Sequence, residues 1–362
     1  MVIFKRKIIS LLFSAIGFFI FPVTGITQAE IKSGKGLFDN DSVLQITLSG
    51  NIRDLLNDRG DDPKYHSIVV SYSEKDGEKI SITAEAKTRG HFRKLMGNCS
   101  YPPLLLRFFK SDTLDASVFR TQQKIKLVMP CRADDYIVYE WLVYKLYNIV
   151  TPKSFRARLV SVTLADNKNK KNVSPFYGIL LEEETQMAER NNEVAVERKM
   201  RPEDTQQDDF LKMAVFEYLV GNTDWSVQYL QNIKLIAADS IQVPTTVPYD
   251  FDHAGIVNTP YANPAEELKM SSVRERRYRG YCMQDMKEFD SVVALYNRLK
   301  PAIYNLYTSC QLLSAKYVKS TLKYLDDFYA TINDPVALQK EFSYPCDKNG
   351  TGNVVIKGLK ED

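Results

Sequence analysis

The chain has 362 residues, of which 44% are hydrophobic and 26% are charged, and its formal net charge is +3. Residues 1–29 contain three basic residues and no acid, so the remainder is formally neutral. A neutral chain gives no electrostatic reason to expect binding to nucleic acid or to an anionic membrane. About 330 residues can bury a large core, in one domain or in two lobes.

The first 29 residues have the layout of a secretory signal peptide. Basic residues at 5–7 precede an apolar run at 8–23, and Thr27, Gln28 and Ala29 form a small-residue cleavage site. The alternative is a retained membrane anchor, but the run is short for a span of about 20 residues. We therefore predict cleavage after Ala29, export to the periplasm or the cell exterior, and no membrane span in the mature chain.

Five cysteines follow the predicted cleavage site. In an exported chain some are expected to pair, and the odd number leaves at least one unpaired or bonded to another chain. No Cys-x-x-Cys motif is present and the three histidines are scattered, which argues against a zinc site.

The first third of the chain has the alternating pattern of antiparallel strands. A turn at Asp76 and Gly77 joins the second and third of them. The predicted strands are 42–50, 66–74, 79–90, 102–109 and 124–130.

The pattern then changes to helical spacing over 134–150, which is followed by two more predicted strands at 156–166 and 174–184. The Lys/Asn-rich segment 167–172 is expected to be an exposed loop between these strands.

The second half is mainly helical by the same criterion. The predicted helices are 207–220, 286–300, 302–313 and 315–332. These elements predict an α+β fold, with a β-rich antiparallel N-lobe at 30–185 and a mainly helical C-lobe at 186–362.

Polar residues cluster where the helix 207–220 ends. Asp224 lies just beyond Gly221, a residue suited to leaving a helix. A predicted hairpin then places Asn232 and Asp250 at its two ends, so they could share one metal ion. Carboxylate and amide oxygens are the ligands that magnesium or manganese prefers.

This set of residues is suited to phosphoryl transfer, in which one Asp orients the accepting hydroxyl while an Asn and a second Asp hold the metal ions. In ordinary protein kinases the Asp and the Asn are five positions apart, whereas Asp224 and Asn232 are eight positions apart. Asp250-Phe251-Asp252 stands where those enzymes have Asp-Phe-Gly.

The segments "GNTDWSVQYLQN" and "YDFD" resemble the catalytic segment of the spore-coat-protein-H-like (CotH) atypical kinases. "TRGHFRK", "KIKLVMPCRADDYIVYEWLVYKLY" and "SFRARLVSVTL…FYGILLEEE" are similar to family segments in the same order. The resemblance covers about residues 87–255. The chain resembles uncharacterised exported proteins of Bacteroidetes-type bacteria more closely still.

The resemblance implies an atypical two-lobed protein-kinase-like fold that uses ATP with Mg or Mn. The implied activity is transfer of phosphate to a hydroxyl of a protein, lipid or glycan. It also implies that Asp224 is the catalytic Asp, that Asn232 and Asp250 are metal ligands, and that Asp252, the second acid of the motif, is a further metal ligand.

Four further residues are predicted to bind the nucleotide or to position a group that binds it. Glu140 stands where a helix Glu pairs with a phosphate-binding base. The family's strand lysine aligns with Arg107, and Lys126 is the second candidate; an Arg differs from a Lys in shape and charge distribution. Arg89, at a strand end, is expected either to contact phosphate or to form a salt bridge.

Three alternative functions stay open. The chain could be a catalytically inactive kinase-fold protein that serves in binding or in envelope structure. Asp250-x-Asp252 also fits the metal motif of a glycosyltransferase, although the antiparallel start of the chain does not suit that class. A hydrolase is disfavoured because no nucleophile elbow is present. The basic segment 274–282 is read as a solvated face, with an anion site as its alternative.

Overall fold

The seven strands predicted in the first half of the chain are all present, and they form one closed sheet. The computed structural model describes residues 36–73, 77–95, 97–168 and 174–348. The predicted signal peptide lies outside these residues, as do parts of the turn at Asp76 and of the loop 167–172. The strands are β1 (Leu44–Gly50), β2 (His66–Ser73), β3 (Lys79–Thr88), β4 (Leu104–Phe108), β5 (Lys124–Val128), β6 (Ala157–Asp166) and β7 (Phe176–Leu181).

The sheet closes in the order β1-β2-β3-β4-β5-β7-β6. Every pair is antiparallel, as predicted, except the parallel pair β1–β6 that closes the ring. Alternate side chains point inward, and Leu48, Leu106 and Ile125 are completely buried there. Arg107 and Lys126 occupy the intervening positions of β4 and β5 and therefore lie on the outer face.

Helices and one small sheet make up most of the second half. In the described residues the α-helices are α1 (Ile52–Asn57), α2 (Asp112–Asp115), α3 (Asp135–Val150), α4 (Glu184–Arg190), α5 (Gln207–Val220), α6 (Asp290–Thr308), α7 (Ala315–Asn333) and α8 (Pro335–Phe342). The small antiparallel sheet is formed by β8 (Val194–Val196), β9 (Ile233–Ala237) and β10 (Thr245–Pro248). The mixture confirms the α+β class.

One helix differs from its prediction. The sequence predicts separate helices on either side of Pro301, but α6 runs through that residue. A proline removes one main-chain hydrogen bond and disfavours the helix around it. Tyr296 before it and Ile303 and Tyr307 after it are all fully buried, and this packing holds the two halves in one helix.

The described residues belong to a single compact unit. β7 ends and α4 begins close to the predicted lobe boundary at 185, but the division into lobes stays a prediction. None of the described helices combines the length and the apolar character that crossing a membrane requires.

Helix α3 connects the barrel to the helical part. It packs against β6 and β7 on one side and against α5 and α6 on the other. Ten of its 16 residues are buried, among them Glu140 and Tyr144. A carboxylate and a phenol are thereby placed at the junction of the two parts.

Four of the five cysteines form disulfides, Cys99–Cys131 and Cys282–Cys346. Cys310 is unpaired and half-buried. The prediction that at least one cysteine stays outside the pairs is confirmed.

Replacing both Cys282 and Cys346 by serine is expected to lower the free energy of unfolding by about 2–4 kcal/mol, because the bond closes a loop of 64 residues. Urea unfolding under non-reducing conditions measures the change. The matched control is Cys310→Ser, which breaks no bond and should cost about 1 kcal/mol or less. Equal losses in the two variants would contradict the prediction.

Candidate functional site

The loop that follows α5 presents Asp224. Gly221 leaves the helix with φ of +69°, and a Cβ there would lie 2.0 Å from the hydroxyl of Tyr324, so only glycine fits. The Asn222 side chain accepts a hydrogen bond from the Asp224 main-chain N–H at 3.0 Å. The Trp225 indole N–H donates to the Asn222 carbonyl at 3.2 Å. Asn222 therefore binds the main-chain N–H of Asp224 and the side chain of Trp225.

The carboxylate of Asp224 is bound by the far end of the same loop. Gln231 Nε2 donates to Oδ1 at 2.5 Å, and Asn232 Nδ2 donates to Oδ2 at 3.1 Å. Burial raises the pKa of Asp224, although the nearby charge of His253 opposes the shift. The structure thus brings Asp224 and Asn232 into direct contact.

Asn232 and Asp250 stand at neighbouring ends of the β9–β10 hairpin, as predicted. Ile233 pairs with Pro248, and the Tyr249 N–H donates to the Asn232 carbonyl at 3.0 Å. Both residues have positive φ, +52° for Asn232 and +65° for Asp250. Such left-handed conformations cost energy in residues other than glycine and are concentrated at functional sites.

Two contacts fix Asp250 from other elements. Its main-chain N–H donates to the hydroxyl of Tyr144 on α3 at 2.9 Å. Its carboxylate forms an ion pair with Lys126 of β5 at 3.3 Å. Burial opposes ionisation of Asp250, but the charges of Lys126, Arg93 and Arg89 together lower its pKa to about 2. Asp250 is therefore ionised at neutral pH.

Arg93 is a site residue that the sequence analysis missed. Its guanidinium donates to Asp252 at 2.8 Å and to Glu140 at 3.0 Å, and all three side chains are buried. The Tyr261 hydroxyl donates to the same Asp252 oxygen at 3.0 Å. Asp252 and Asp250 are therefore held by different bases, although they are two residues apart.

Glu140 pairs with Arg93, not with Lys126 or Arg107. Its Oε2 accepts from Arg93, whereas its Oε1 is buried and has no hydrogen-bond partner among the described residues. Burial raises the pKa of Glu140 to about 7, against the opposing charge of Arg93. The only sequence signal for Arg93 was its place in "TRGHFRK". In that segment the phosphate contact was assigned to Arg89 instead.

The turn that carries Arg93 is docked onto the segment after Asp252. Phe92 packs against His253 and Tyr261, with ring centroids 6.4 and 5.6 Å apart. The end of the turn is fixed by Cys99, which is bonded to Cys131 just before α3. Arg89, at the start of the turn, is exposed, and its charge contributes to the lowered pKa of Asp250.

Arg107 does not contact the other predicted site residues. Because Leu106 and Phe108 face the barrel core, its side chain points outward, where its register partner on β3 is Glu85. It forms an ion pair with Glu85 and lies over the ring of Tyr65 at 3.9 Å. Neither contact involves a predicted site residue, so Lys126 is the strand base that reaches the acids.

The donor set suits a magnesium-type ion. No three His, Cys, Asp or Glu side chains form a metal-binding group within the part of the chain that the structure describes. Mg²⁺, however, is held by one or two protein ligands together with water and substrate phosphates. Asp250 is ionised, and Asn232 uses its amide nitrogen on Asp224, so the amide oxygen is the atom that could coordinate. Asp252 already binds Arg93 and Tyr261.

Comparisons with known proteins do not establish a family. No family model matches the chain, and no curated protein matches it. Among solved structures, the proinflammatory kinase CtkA of Helicobacter pylori is similar with a TM-score of 0.40 and 13% identity. The match covers 71% of this chain and 94% of that chain. The resemblance to the spore-coat-protein-H-like kinases therefore stays a prediction.

Proposed function

We propose that this chain is an exported atypical kinase that transfers phosphate from ATP to a hydroxyl of a protein, lipid or glycan. The observation that carries the proposal is that two pairs of interacting side chains lie at one place. Asp224 is hydrogen-bonded to Asn232, and Asp250 is paired with Lys126. The main-chain N–H of Tyr249, the residue before Asp250, donates to the Asn232 carbonyl at 3.0 Å, so the two pairs lie close together.

Each residue has a role in this proposal. Asp224 orients the accepting hydroxyl and takes its proton. Asp250 and the Asn232 amide oxygen hold Mg²⁺ or Mn²⁺, which when bound neutralises charge on the phosphates. Lys126 and the exposed Arg89 bind phosphate oxygens. Arg93 binds both Asp252 and Glu140 and fixes their positions beside the site.

Two disulfides support the proposed export, because such bonds form and persist in oxidising compartments. The predicted signal peptide at 1–29 is the second support. The proposed location is the periplasm or the cell exterior.

One observation favours an inactive binding or envelope-structure protein as the second candidate. Arg93 pairs with both Asp252 and Glu140, and Lys126 pairs with Asp250. Each of these acids therefore has a basic partner within the protein, so a metal ion is not needed to provide one.

Calorimetric titration of residues 30–362 with ATP, with and without Mg²⁺ or Mn²⁺, tests the proposal. We expect binding that depends on the metal and that weakens at least about tenfold in Asp250→Asn. Asparagine is the better replacement because it tolerates the positive φ of this position, whereas alanine would be strained.

The matched control is Asp115→Asn, at an exposed acid in α2, which should bind as the unaltered chain does. Absence of binding with every metal would reject the nucleotide site and favour the second candidate.

A further inference from the structure

The basic segment 274–282 is not a solvated face. Its arginines donate to main-chain carbonyls of neighbouring elements. Arg274 binds the Gly255 carbonyl at 2.8 Å. Arg276 binds the Leu219 carbonyl at 3.1 Å and lies over the ring of Tyr324 at 3.5 Å. The segment therefore holds other parts of the main chain in place.

Arg279 makes the contact that bears on the site. Its Nη1 donates to the carbonyl of Thr223 at 2.5 Å and to the carbonyl of Trp225 at 2.9 Å. These are the residues immediately before and after Asp224. Both are buried, with exposures of 6% and 4%, so water cannot readily replace the guanidinium.

Arg279 is also charged where it lies. Burial lowers its pKa to about 10, while the carboxylate of Asp224 opposes the shift. It is therefore protonated at neutral pH, and its bonds to the two carbonyls are charge-assisted, which makes them stronger than neutral hydrogen bonds.

We propose that Arg279 is a positioning residue that fixes the main chain on both sides of Asp224 and so holds its carboxylate toward the phosphate acceptor. The catalytic part of this inference rests on the proposed function. Asn222, just after α5, accepts a hydrogen bond from the Asp224 main-chain N–H and another from the Trp225 indole, so Asn222 and Arg279 both hold the loop.

The proposal separates turnover from nucleotide binding. Lys126 and Asp250 belong to β5 and to the end of the hairpin, which Arg279 does not contact through these bonds. Loss of Arg279 should therefore misplace Asp224 and leave the nucleotide contacts in place. A displacement of about 1 Å can lower turnover by about 10²-fold.

Three variants test the proposal for Arg279, namely Arg279→Gln, Arg279→Lys and Arg276→Gln. Arg276→Gln is the matched control, because Arg276 also binds main-chain carbonyls and stacks on an aromatic ring, but at the end of α5. The first measurement is hydrogen exchange of the main-chain amides of Asp224, Ser226 and Gln231, each of which is hydrogen-bonded in the loop. The second is the rate of phosphate transfer and the KM for ATP.

We expect these amides to exchange at least about tenfold faster in Arg279→Gln and at the unaltered rate in Arg276→Gln. Transfer should fall at least about tenfold in Arg279→Gln with KM within about twofold, and Arg279→Lys should recover part of it. Unchanged exchange in Arg279→Gln, or equal loss of transfer in Arg279→Gln and Arg276→Gln, would overturn the proposal. If the unaltered chain transfers no phosphate, the proposed function fails, while selective exchange in Arg279→Gln still supports the main-chain role of Arg279.

Discussion

Replacement of Asp224 by asparagine is expected to lower phosphate transfer by about 10²–10⁴-fold while the affinity for ATP and metal stays within about twofold. Asparagine keeps the size of the side chain and an oxygen that can accept from Asn232, but it cannot take a proton from the acceptor. Lys126 and Asp250, which bind the nucleotide in our proposal, are unchanged. Transfer of labelled phosphate from ATP to the chain itself and to envelope extracts measures the first effect, and calorimetry measures the second.

The control for this prediction is Asp208→Asn, at an exposed acid in the first turn of α5. It removes the same charge from the helix that precedes the loop and should leave transfer unchanged. If Asp224→Asn transfers phosphate as fast as the unaltered chain, Asp224 is not the catalytic base. A parallel loss of ATP binding would instead place Asp224 among the metal ligands.

Replacement of Arg93 by methionine is expected to lower the free energy of unfolding by about 3–5 kcal/mol, because it leaves two buried carboxyl groups without their shared base. Glu140 and Asp252 are only 1% and 7% exposed. Urea unfolding followed by the fluorescence of the two tryptophans measures the loss. The loss should be larger at pH 8 than at pH 5. Beside Arg93, Glu140 has a raised pKa of about 7 in the folded chain, and loss of the guanidinium raises that pKa further. At pH 5 Glu140 is mainly neutral in both chains, whereas at pH 8 the variant must either keep a proton on Glu140 or bury its charge without a partner.

Two comparisons distinguish the cost of removing the base shared by Glu140 and Asp252 from the cost of removing any arginine. Arg107→Met removes a partly exposed arginine whose partner is Glu85 and should cost about 1 kcal/mol or less. Adding Glu140→Gln and Asp252→Asn to Arg93→Met removes the unpaired charges and should recover part of the loss. A cost for Arg93→Met no greater than that for Arg107→Met would show that the buried cluster does not depend on this guanidinium.

Local patterns were sufficient to predict much of the fold. Alternating residues predicted the seven strands, and Gly221 predicted the end of α5. The hairpin between Asn232 and Asp250 followed from two short apolar runs with a polar tip. Each of these features depends on residues near one another in the sequence, where period and turn chemistry act directly.

The missed features depend on contacts between distant parts of the chain. Pairing of β1 with β6 joins Leu44 to Val160, and no local pattern specifies such a partner. Arg93 reaches Asp252 across 159 positions. Its neighbour Arg89 looked equally suitable, since both are arginines in one turn, and only the fold makes one buried and the other exposed. Arg107 aligned with a phosphate-binding base by order along the chain, but the strand's alternation directs it to Glu85.

Closure of the seven-stranded sheet also removes one route to self-association, the pairing of exposed sheet edges. A ring has no edge strand whose free N–H and C=O groups could template another chain. In the described residues the only sheet edges of the second half are β8 and β10, which have three and four residues, and short edges are poor templates. The chain is most exposed to edge-to-edge pairing during folding, before β1 and β6 pair, because each strand then has a long unpaired edge beside apolar side chains. Aggregation of newly made or refolding chains is therefore expected to begin where β1 and β6 pair.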